Sequence, residues 1–540
     1  MPSSGYSACP NAIRQRPWRR FAALYALLFA TVALAHLTLL RLPYYWDEGG
    51  YYIPAALDFY HRWTLIPTFT NAHPPLPNVV LGLLWHAFGY HIVVTRLCAC
   101  AFAAAGLLAV FTLVEALAST PAAVVATLLV GVYPIWFAQS SLAHADIFAA
   151  AFGLWGIVVY LLSALDAWPY RHATLLTAVL LSLAVMSKET AIVLPATLFV
   201  VEAVRRALRY GASSQQHGVT SQHRDRLRWL AALAFPLLPL LAWYAYHHYK
   251  TGFTFGNPEY LRYNATANFT RAHILLSLKY RAMHLLWQRN LWVALTLALI
   301  VLLLPRRRRV RTIPTRVWAT FVALIAAHWI FFSVLGGALL TRYLLPAYAM
   351  EIIACVLLWQ ERTRWWPAMA AIAFVAFAIA LWHNGPHAMA PEDNLTYRNM
   401  IVAHQRAIDY LTQHDPEARV LTAWPVAADL VRPELGYTNH IFHVTSIDNF
   451  TRSEVTKASA EHAKFDTVLA FTTKFEPPAV LHELSRSKDT KRIAAYEAHR
   501  DLTPQEIAQM LGGDIVWQTQ IGGEWSAIIR IAPDPSRWNP

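Results

Sequence analysis

Residues 21–52 read FAALYALLFATVALAHLTLLRLPYYWDEGGYY, and this stretch decides the fold class. Its first twenty residues, 21–40, are almost all apolar, and twenty residues is the length that an α-helix needs to cross a bilayer. The acidic residues Asp47 and Glu48 follow within ten residues. Because charge next to a span is costly unless it faces water or a cavity, the stretch predicts a membrane anchor followed by a polar loop.

The two acids cannot both point at one atom, because neighbours on a helix diverge by about 100°. One of them could act on a nucleophile while the other orients the backbone or a basic partner. The alternative is a solvated helix N-terminus, where the helix dipole favours acidic residues. The pair alone leaves both interpretations open.

The composition of the whole chain is that of a membrane protein. Of its 540 residues, 56% are hydrophobic and only 14% are charged, whereas soluble domains carry about 25% charged residues. The net charge of +13 could suggest nucleic-acid binding. The arginines, however, cluster in short gaps between apolar runs, as in loops held in the cytoplasm. A nucleic-acid partner is therefore not predicted.

Roughly eleven apolar runs are candidate spans. They lie near 21–40, 91–116, 121–138, 147–165, 173–187, 190–204, 229–246, 284–304, 317–335, 343–360 and 367–383. With the N-terminus in the cytoplasm, alternation puts every arginine cluster inside. The opposite side then receives 41–90, 139–146, 188–189, 247–283, 336–342 and the C-terminal tail.

The composition changes near residue 385, which predicts a transmembrane domain over 1–385 and an extracytoplasmic domain over 386–540. In the second domain, apolar β-rich stretches alternate with helical patterns, which favours a small α/β fold. The stretches are Arg419–Trp424, Asp466–Phe471 and Ala527–Ile531, and the helical patterns lie near Met400–Thr412 and Pro478–Leu484. Because no G-x-G-x-x-G or P-loop motif is present, nucleotide binding has no support.

Residues 71–76 read NAHPPL and predict a rigid helix entry. Proline suits the first turn of a helix and pushes the preceding residue towards extended geometry. His73 would therefore be held at the start of a helix near the membrane surface. The alternative is a simple turn.

Three further polar groups follow spans on the predicted outer side. They contain Asp146, the neighbours Lys188 and Glu189, and the neighbours Arg342 and Tyr343. Each could be an interfacial residue whose side chain reaches water. Together they place carboxylates beside cations at one membrane level. Cations stabilise a leaving phosphate, and a carboxylate can remove a proton from an acceptor.

The order of these motifs resembles the lipid-dependent glycosyltransferases of the GT-C fold. The most similar branch contains the protein O-mannosyltransferases and the bacterial aminoarabinose transferase of lipid A. The resemblance rests on the acidic pair, the HPPL segment at 73–76, the acid at 146, the lysine at 188 and the RYLLP run at 342–346. It covers about residues 20–385 and implies a polytopic α-helical enzyme with its active site outside the cytoplasm.

By this resemblance, Asp47 corresponds to the carboxylate that activates the acceptor. Glu48 corresponds to its acidic neighbour, and Asp146 to a second important acid. Lys188 and Arg342 correspond to the cations near the carrier phosphate. These five residues form the core of the predicted site.

His73, Glu189 and Tyr343 complete the set as candidate substrate-binding residues. At His73 the chain departs from the family, since the aminoarabinose transferases carry a lysine in a K-P-P segment there. This departure puts lipid A as acceptor, and aminoarabinose as donor, in doubt.

The resemblance implies transfer of one hexosyl or pentosyl unit from a polyprenyl-phosphate carrier to a protein, lipid or glycan at the plasma membrane. The phosphate leaves with its charge already formed, so no metal is strictly required. Oligosaccharyltransferases of the same fold do use a divalent cation, and Asp47 with Asp146 could hold one. The sugar, the acceptor and the carrier, undecaprenyl or dolichyl, stay open.

Two other classes also explain many spans: a transporter or lipid flippase, and a membrane scaffold. Transporters commonly contain inverted repeats, and no repeat of fixed period is present in the sequence. A transporter also gives no reason for an acidic first outer loop or for a long α/β tail.

Overall fold

The structure is a computed structural model. It describes residues 18–68, 73–165, 172–212, 220–256, 261, 269–307, 310, 312–335, 339–383, 390–472 and 501–532. The chain divides into two compact units. The first consists of Met1–Leu37 and Ala55–Leu381, and the second of Thr38–Pro54 and Trp382–Pro540.

The first unit is built from helices. Within the described residues, seven helical stretches are long and apolar enough to cross a membrane, and four shorter apolar helices accompany them. The polytopic α-helical fold is therefore confirmed, while the number of eleven spans stays a prediction. The helices are α1 Trp18–Ala35, α2 Ile53–Arg62, α3 Leu76–Phe88, α4 Ile92–Leu117, α5 Thr120–Val132, α6 Pro134–Gln139, α7 Ala145–Ala164, α8 Ala173–Ser187, α9 Val193–Ala212, α10 Thr220–Ala234, α11 Leu237–Thr251, α12 Arg271–Trp287, α13 Leu291–Leu302, α14 Thr315–Leu335, α15 Leu345–Arg362 and α16 Trp366–Ala380.

One region differs from the sequence prediction. The run 284–304 was expected as one span after an outer segment, but a helix already begins at Arg271 and is interrupted between α12 and α13. Arg289 and Asn290 adopt left-handed backbone there, with φ of 51° and 62°. The Asn290 side chain donates a hydrogen bond to the Ala376 carbonyl at 2.9 Å, which stabilises the break.

Close packing of α7 brings its beginning next to the end of α8. A Cβ at Gly156 would lie 2.6 Å from the Leu181 side chain, and one at Gly153 would lie 2.4 Å from Leu194. Small residues of this kind let membrane helices approach closely. Because α8 runs back along α7, the residue after α8 lies beside the first turn of α7.

The second unit contains a five-stranded mixed sheet. The strand order is β2-β1-β3-β5-β4; β1 is parallel to β2 and β3, whereas β5 is antiparallel to β3 and β4. The β4–β5 hairpin turns at Gly522 and Gly523, where the positive φ of both residues requires glycine. The strands are β1 Arg419–Ala423, β2 His443–Ile447, β3 Thr467–Phe471, β4 Gly513–Ile521 and β5 Glu524–Ile531.

Four helices belong to the described part of the second unit, and the predicted α/β class is confirmed. They are α17 Thr396–His414, α18 Val426–Val431, α19 Arg452–Ser459 and α20 Pro504–Leu511. The helix predicted near Met400–Thr412 is α17, which packs on β4 and β5 through its buried face. The helix predicted at Pro478–Leu484 lies outside the described residues.

The division into units differs from the predicted domains at one place. Residues 38–54, which contain the acidic pair, group with the C-terminal unit. The Tyr44 amide donates a hydrogen bond to the Leu435 carbonyl at 3.0 Å, and the Trp46 ring meets the Trp424 ring edge-on at 4.7 Å. A boundary based on composition cannot reveal such long-range contacts, and the domain limits stay a prediction.

Candidate functional site

Asp146 lies at the centre of a buried charged cluster in the first unit. It is in the first turn of α7 and only 5% exposed. Lys188 Nζ lies 2.6 Å from its Oδ1, and Arg342 Nε lies 3.3 Å from its Oδ2. The structure thus brings Lys188 and Arg342 together at Asp146, although the two cations lie far apart in the sequence.

Helix ends explain why these side chains meet. Lys188 follows α8 in extended backbone, with φ −153° and ψ 123°, so its side chain leaves the helix direction. Arg342 lies in the 3₁₀ turn Thr341–Leu344, directly before α15. Each cation thus sits where a helix begins or ends, beside the start of α7.

The ring of Tyr343 gathers the cations of this cluster. Lys188 Nζ lies 3.8 Å from the ring centroid, and the Cζ atoms of Arg281 and Arg342 lie 5.7 and 5.9 Å from it. Arg281 also donates a hydrogen bond from Nη1 to the Leu340 carbonyl at 2.6 Å. An aromatic face attracts cations within about 6 Å, so Tyr343 helps to hold these positive groups together.

Arg281 was not among the residues predicted from the sequence. It is fully buried in α12, a helix that the sequence pattern placed in an outer loop. The same helix carries Arg271 and Lys279, so its composition gives no signal that sets Arg281 apart.

His73 and Glu189 form a second pair next to the cluster. His73 Nδ1 lies 2.8 Å from Glu189 Oε2, although the two residues are 116 positions apart. Burial raises the pKa of Glu189, but His73, Lys188 and a backbone hydrogen bond together lower it by more, so the pKa of Glu189 is lowered. Because Glu189 directly follows Lys188, this pair connects the HPPL segment to the buried charged cluster around Asp146.

The potential in this region is positive. His144, the residue before α7, is fully buried, and its Nδ1 donates a 2.8 Å hydrogen bond to Gln139 Oε1. Burial lowers the pKa of His144, and Arg342, Lys188 and Arg96 lower it further. Arg96 and His144 were not predicted from the sequence, because neither belongs to a recognisable motif.

A cavity opens beside these side chains. Asp146, Lys188, Arg342 and Tyr343 line it together with His328 of α14. Among the described residues that line it, two cations, Lys188 and Arg342, stand beside one carboxylate, Asp146. Such a cavity suits an anion.

The acidic pair lies in the second unit, and its two members have different surroundings. Glu48 is fully buried, and its Oε2 accepts a hydrogen bond from the Tyr45 amide at 2.9 Å. Asp47 is partly exposed. Glu48 therefore holds the backbone of the loop, while Asp47 keeps access to solvent.

The backbone around Asp47 is unusual. Trp46 has a φ of 42°, and a π-helical turn spans Glu48–Tyr52. Left-handed non-glycine residues and π-turns are both enriched at functional sites. This backbone geometry favours a functional loop over the alternative of a simple solvated helix N-terminus.

Several acids surround this loop within its own unit. Burial raises the pKa of Tyr45, and the nearby carboxylates of Glu392, Glu524 and Asp47 raise it further. Burial also raises the pKa of Glu524 to about 7. The loop that carries Asp47 thus lies in acidic surroundings.

A metal site does not emerge from the described residues. No three His, Cys, Asp or Glu side chains in that part of the chain come close enough to hold an ion. Asp146, one of the two candidate ligands, is already engaged by Lys188 and Arg342. Among the described residues, Asp146 therefore serves as the partner of two cations in this structure.

Comparisons with known proteins identify the fold. Residues 72–214 match the sequence profile of the dolichyl-phosphate-mannose-protein mannosyltransferases. ArnT from Cupriavidus metallidurans bound to undecaprenyl phosphate is 12% identical, with a TM-score of 0.50 over 97% of this chain and 100% of that chain. The chain therefore has the multi-span GT-C fold that its motifs indicated, and residues 72–214 are similar to the mannosyltransferase family.

Two other solved structures are similar at lower scores. The oligosaccharyltransferase AglB from Archaeoglobus fulgidus, in complex with an inhibitory peptide and a dolichol-phosphate, is 10% identical with a TM-score of 0.43, covering 95% of this chain and 75% of that chain. The arabinofuranosyltransferase AftD from Mycobacteria is 12% identical with a TM-score of 0.44, covering 96% and 42%. Among curated protein sequences, none matches.

Proposed function

We propose that this protein transfers a sugar from a polyprenyl-phosphate carrier to an acceptor. The observation that carries the proposal is the buried group of Lys188, Arg281 and Arg342 around Asp146 and Tyr343. Buried cations are expensive unless they are paired or have a functional partner. Lys188 and Arg342 line one cavity beside Asp146, and closely placed cations of this kind bind a phosphate.

The phosphate would bind by charge-assisted hydrogen bonds from Lys188 and Arg342. Asp146 holds both cations in place before the lipid arrives, so we assign it a positioning role rather than that of a base. The matched family profile and the ArnT structure with undecaprenyl phosphate support a polyprenyl phosphate as the ligand.

In the proposed reaction, an acceptor oxygen attacks the anomeric carbon of the sugar. The bond from that carbon to the phosphate oxygen breaks, and the electron pair leaves with the phosphate, which the cations stabilise. Asp47 takes the acceptor proton as general base. Glu48 keeps the Asp47 loop in shape, and His73 with Glu189 fixes the backbone next to Lys188.

We place this reaction at the plasma membrane, on the side away from the cytoplasm. The support is the distribution of arginine clusters, which put the C-terminus outside. A reporter that is active only in the cytoplasm, fused after Pro540, is expected to be inactive in cells that insert the protein normally. An active reporter would reverse the orientation.

The function itself is tested with the full-length protein in lipid vesicles. The donors are polyprenyl-phosphate hexoses and pentoses with labelled sugars, offered with protein, lipid and glycan acceptors. We expect labelled acceptor and an equal amount of free polyprenyl phosphate from at least one donor. Movement of intact donor across the vesicle membrane without release of free carrier would indicate a flippase instead.

A further inference from the structure

His328 is a buried polar residue of the cavity wall that the proposed reaction does not yet use. It lies in α14 and is 1% exposed. It lines the same cavity as Asp146, Lys188 and Arg342. Its place among these residues raises the question of which ligand atom its ring would meet.

The hydrogen bond of the His328 ring determines which of its two nitrogens carries the hydrogen. His328 Nδ1 lies 2.7 Å from the Leu324 carbonyl oxygen. A carbonyl oxygen can only accept, so Nδ1 carries the hydrogen, and in the neutral ring Nε2 keeps its lone pair. Within the described part of the chain, Nε2 makes no hydrogen bond. His328 therefore presents an acceptor at the cavity.

This acceptor complements the other polar groups of the wall. Lys188 and Arg342 offer only donors, and Asp146 is engaged by both of them. A phosphate would satisfy the donors but has no hydrogen for Nε2 when it is ionised. The group facing His328 must therefore be a different part of the ligand, and it must carry a donor.

We infer that His328 accepts a hydrogen bond from a hydroxyl of the lipid-linked sugar, and so selects the donor. This inference rests on the proposed function. With the phosphate held by Lys188 and Arg342, the sugar hydroxyl nearest to it along the covalent structure is the 2-hydroxyl, next to the anomeric carbon. His328 is a specificity residue for sugars that carry a free 2-hydroxyl.

The test compares sugars that differ only at that position. The probes are polyprenyl-phosphate mannose, polyprenyl-phosphate glucose and the corresponding 2-deoxyhexose donor. Mannose and glucose differ only in the configuration at C2, so removal of the 2-hydroxyl gives the same 2-deoxy donor from either. Polyprenyl monophosphate serves as the sugar-free reference. Wild-type protein is expected to bind one of the two hexose donors about 10- to 100-fold more tightly than the 2-deoxy donor, because a buried acceptor left without a partner is costly.

Two matched variants separate the ring nitrogens. In His328→Asn, the side-chain amide can still donate to the Leu324 carbonyl, but nothing replaces Nε2. In His328→Gln, the longer side chain can place an acceptor near the position of Nε2. We expect the preference for the 2-hydroxyl to disappear in the Asn variant and to persist in part in the Gln variant, with unchanged affinity for polyprenyl monophosphate in both.

The outcomes distinguish this inference from the proposed function. If wild-type protein does not bind polyprenyl monophosphate, the proposed function fails. If it binds monophosphate but shows no preference at the 2-position, the role of His328 is wrong. The role is equally wrong if the Asn variant keeps the wild-type preference, or if both variants lose it to the same extent.

Discussion

Replacing Asp47 with Asn is expected to abolish sugar transfer while the protein remains folded and inserted. The amide nearly matches the carboxylate in shape but cannot take the acceptor proton, and losing a general base typically costs 10²- to 10⁴-fold in rate. Asp47 keeps access to solvent, whereas its neighbour Glu48 is buried. Single-turnover transfer with a saturating labelled donor measures the effect, and donor binding should stay at the wild-type level.

Glu48→Gln provides the matched control. Glu48 accepts a hydrogen bond from the Tyr45 amide, and the carbonyl oxygen of Gln can accept the same bond. Its effect on transfer is therefore expected to be much smaller than that of Asp47→Asn. A dead Glu48→Gln variant beside an active Asp47→Asn variant would exchange the two roles. Full activity in both would remove the loop from catalysis.

The sequence predicted the fold class well because apolar length and β-rich alternation are local signals. Helices such as α4 and α7 are apolar nearly throughout, so their run length alone finds them. The α12 helix has a mixed composition with several cations, and local hydropathy placed it in a loop. Strand β4 was not predicted because none of its residues is buried: exposed residues alternate with partly exposed ones, which weakens its apolar signal.

The site was predictable only where a motif carried it. Asp146, Lys188 and Arg342 follow the ends of apolar runs, and their contact agrees with that pattern. Arg281 and His328 have ordinary sequence surroundings, and only the packing of α12 and α14 brings them to the same cavity region. The grouping of residues 38–54 with the C-terminal unit likewise depends on contacts almost 400 positions apart, such as Arg432 Nη1 with the Gly49 carbonyl.

Removing the charge of Lys188 or of Arg342 is expected to weaken donor binding by about 100-fold, or about 2.8 kcal/mol at 1.4 kcal/mol per factor of ten. Lys188→Met keeps most of the chain length, and Arg342→Gln keeps hydrogen-bonding capacity, so the main loss in each is the charge that would meet the phosphate. Binding of polyprenyl monophosphate to the full-length protein measures it. Lys457→Met is the control, since that side chain is 74% exposed in the other unit.

The pH dependence of donor binding isolates the lysine. Burial lowers the pKa of Lys188; Asp146 opposes this shift and Arg342 adds to it, with a lowered pKa as the result. Lysine is charged below its pKa and loses the charge as pH rises through it, so wild-type binding should begin to fall at a pH below the usual lysine value of about 10.4. Lys188→Arg should extend tight binding to higher pH, because arginine stays charged. Wild-type affinity in both Lys188→Met and Arg342→Gln, with normal insertion, would show that the phosphate binds elsewhere.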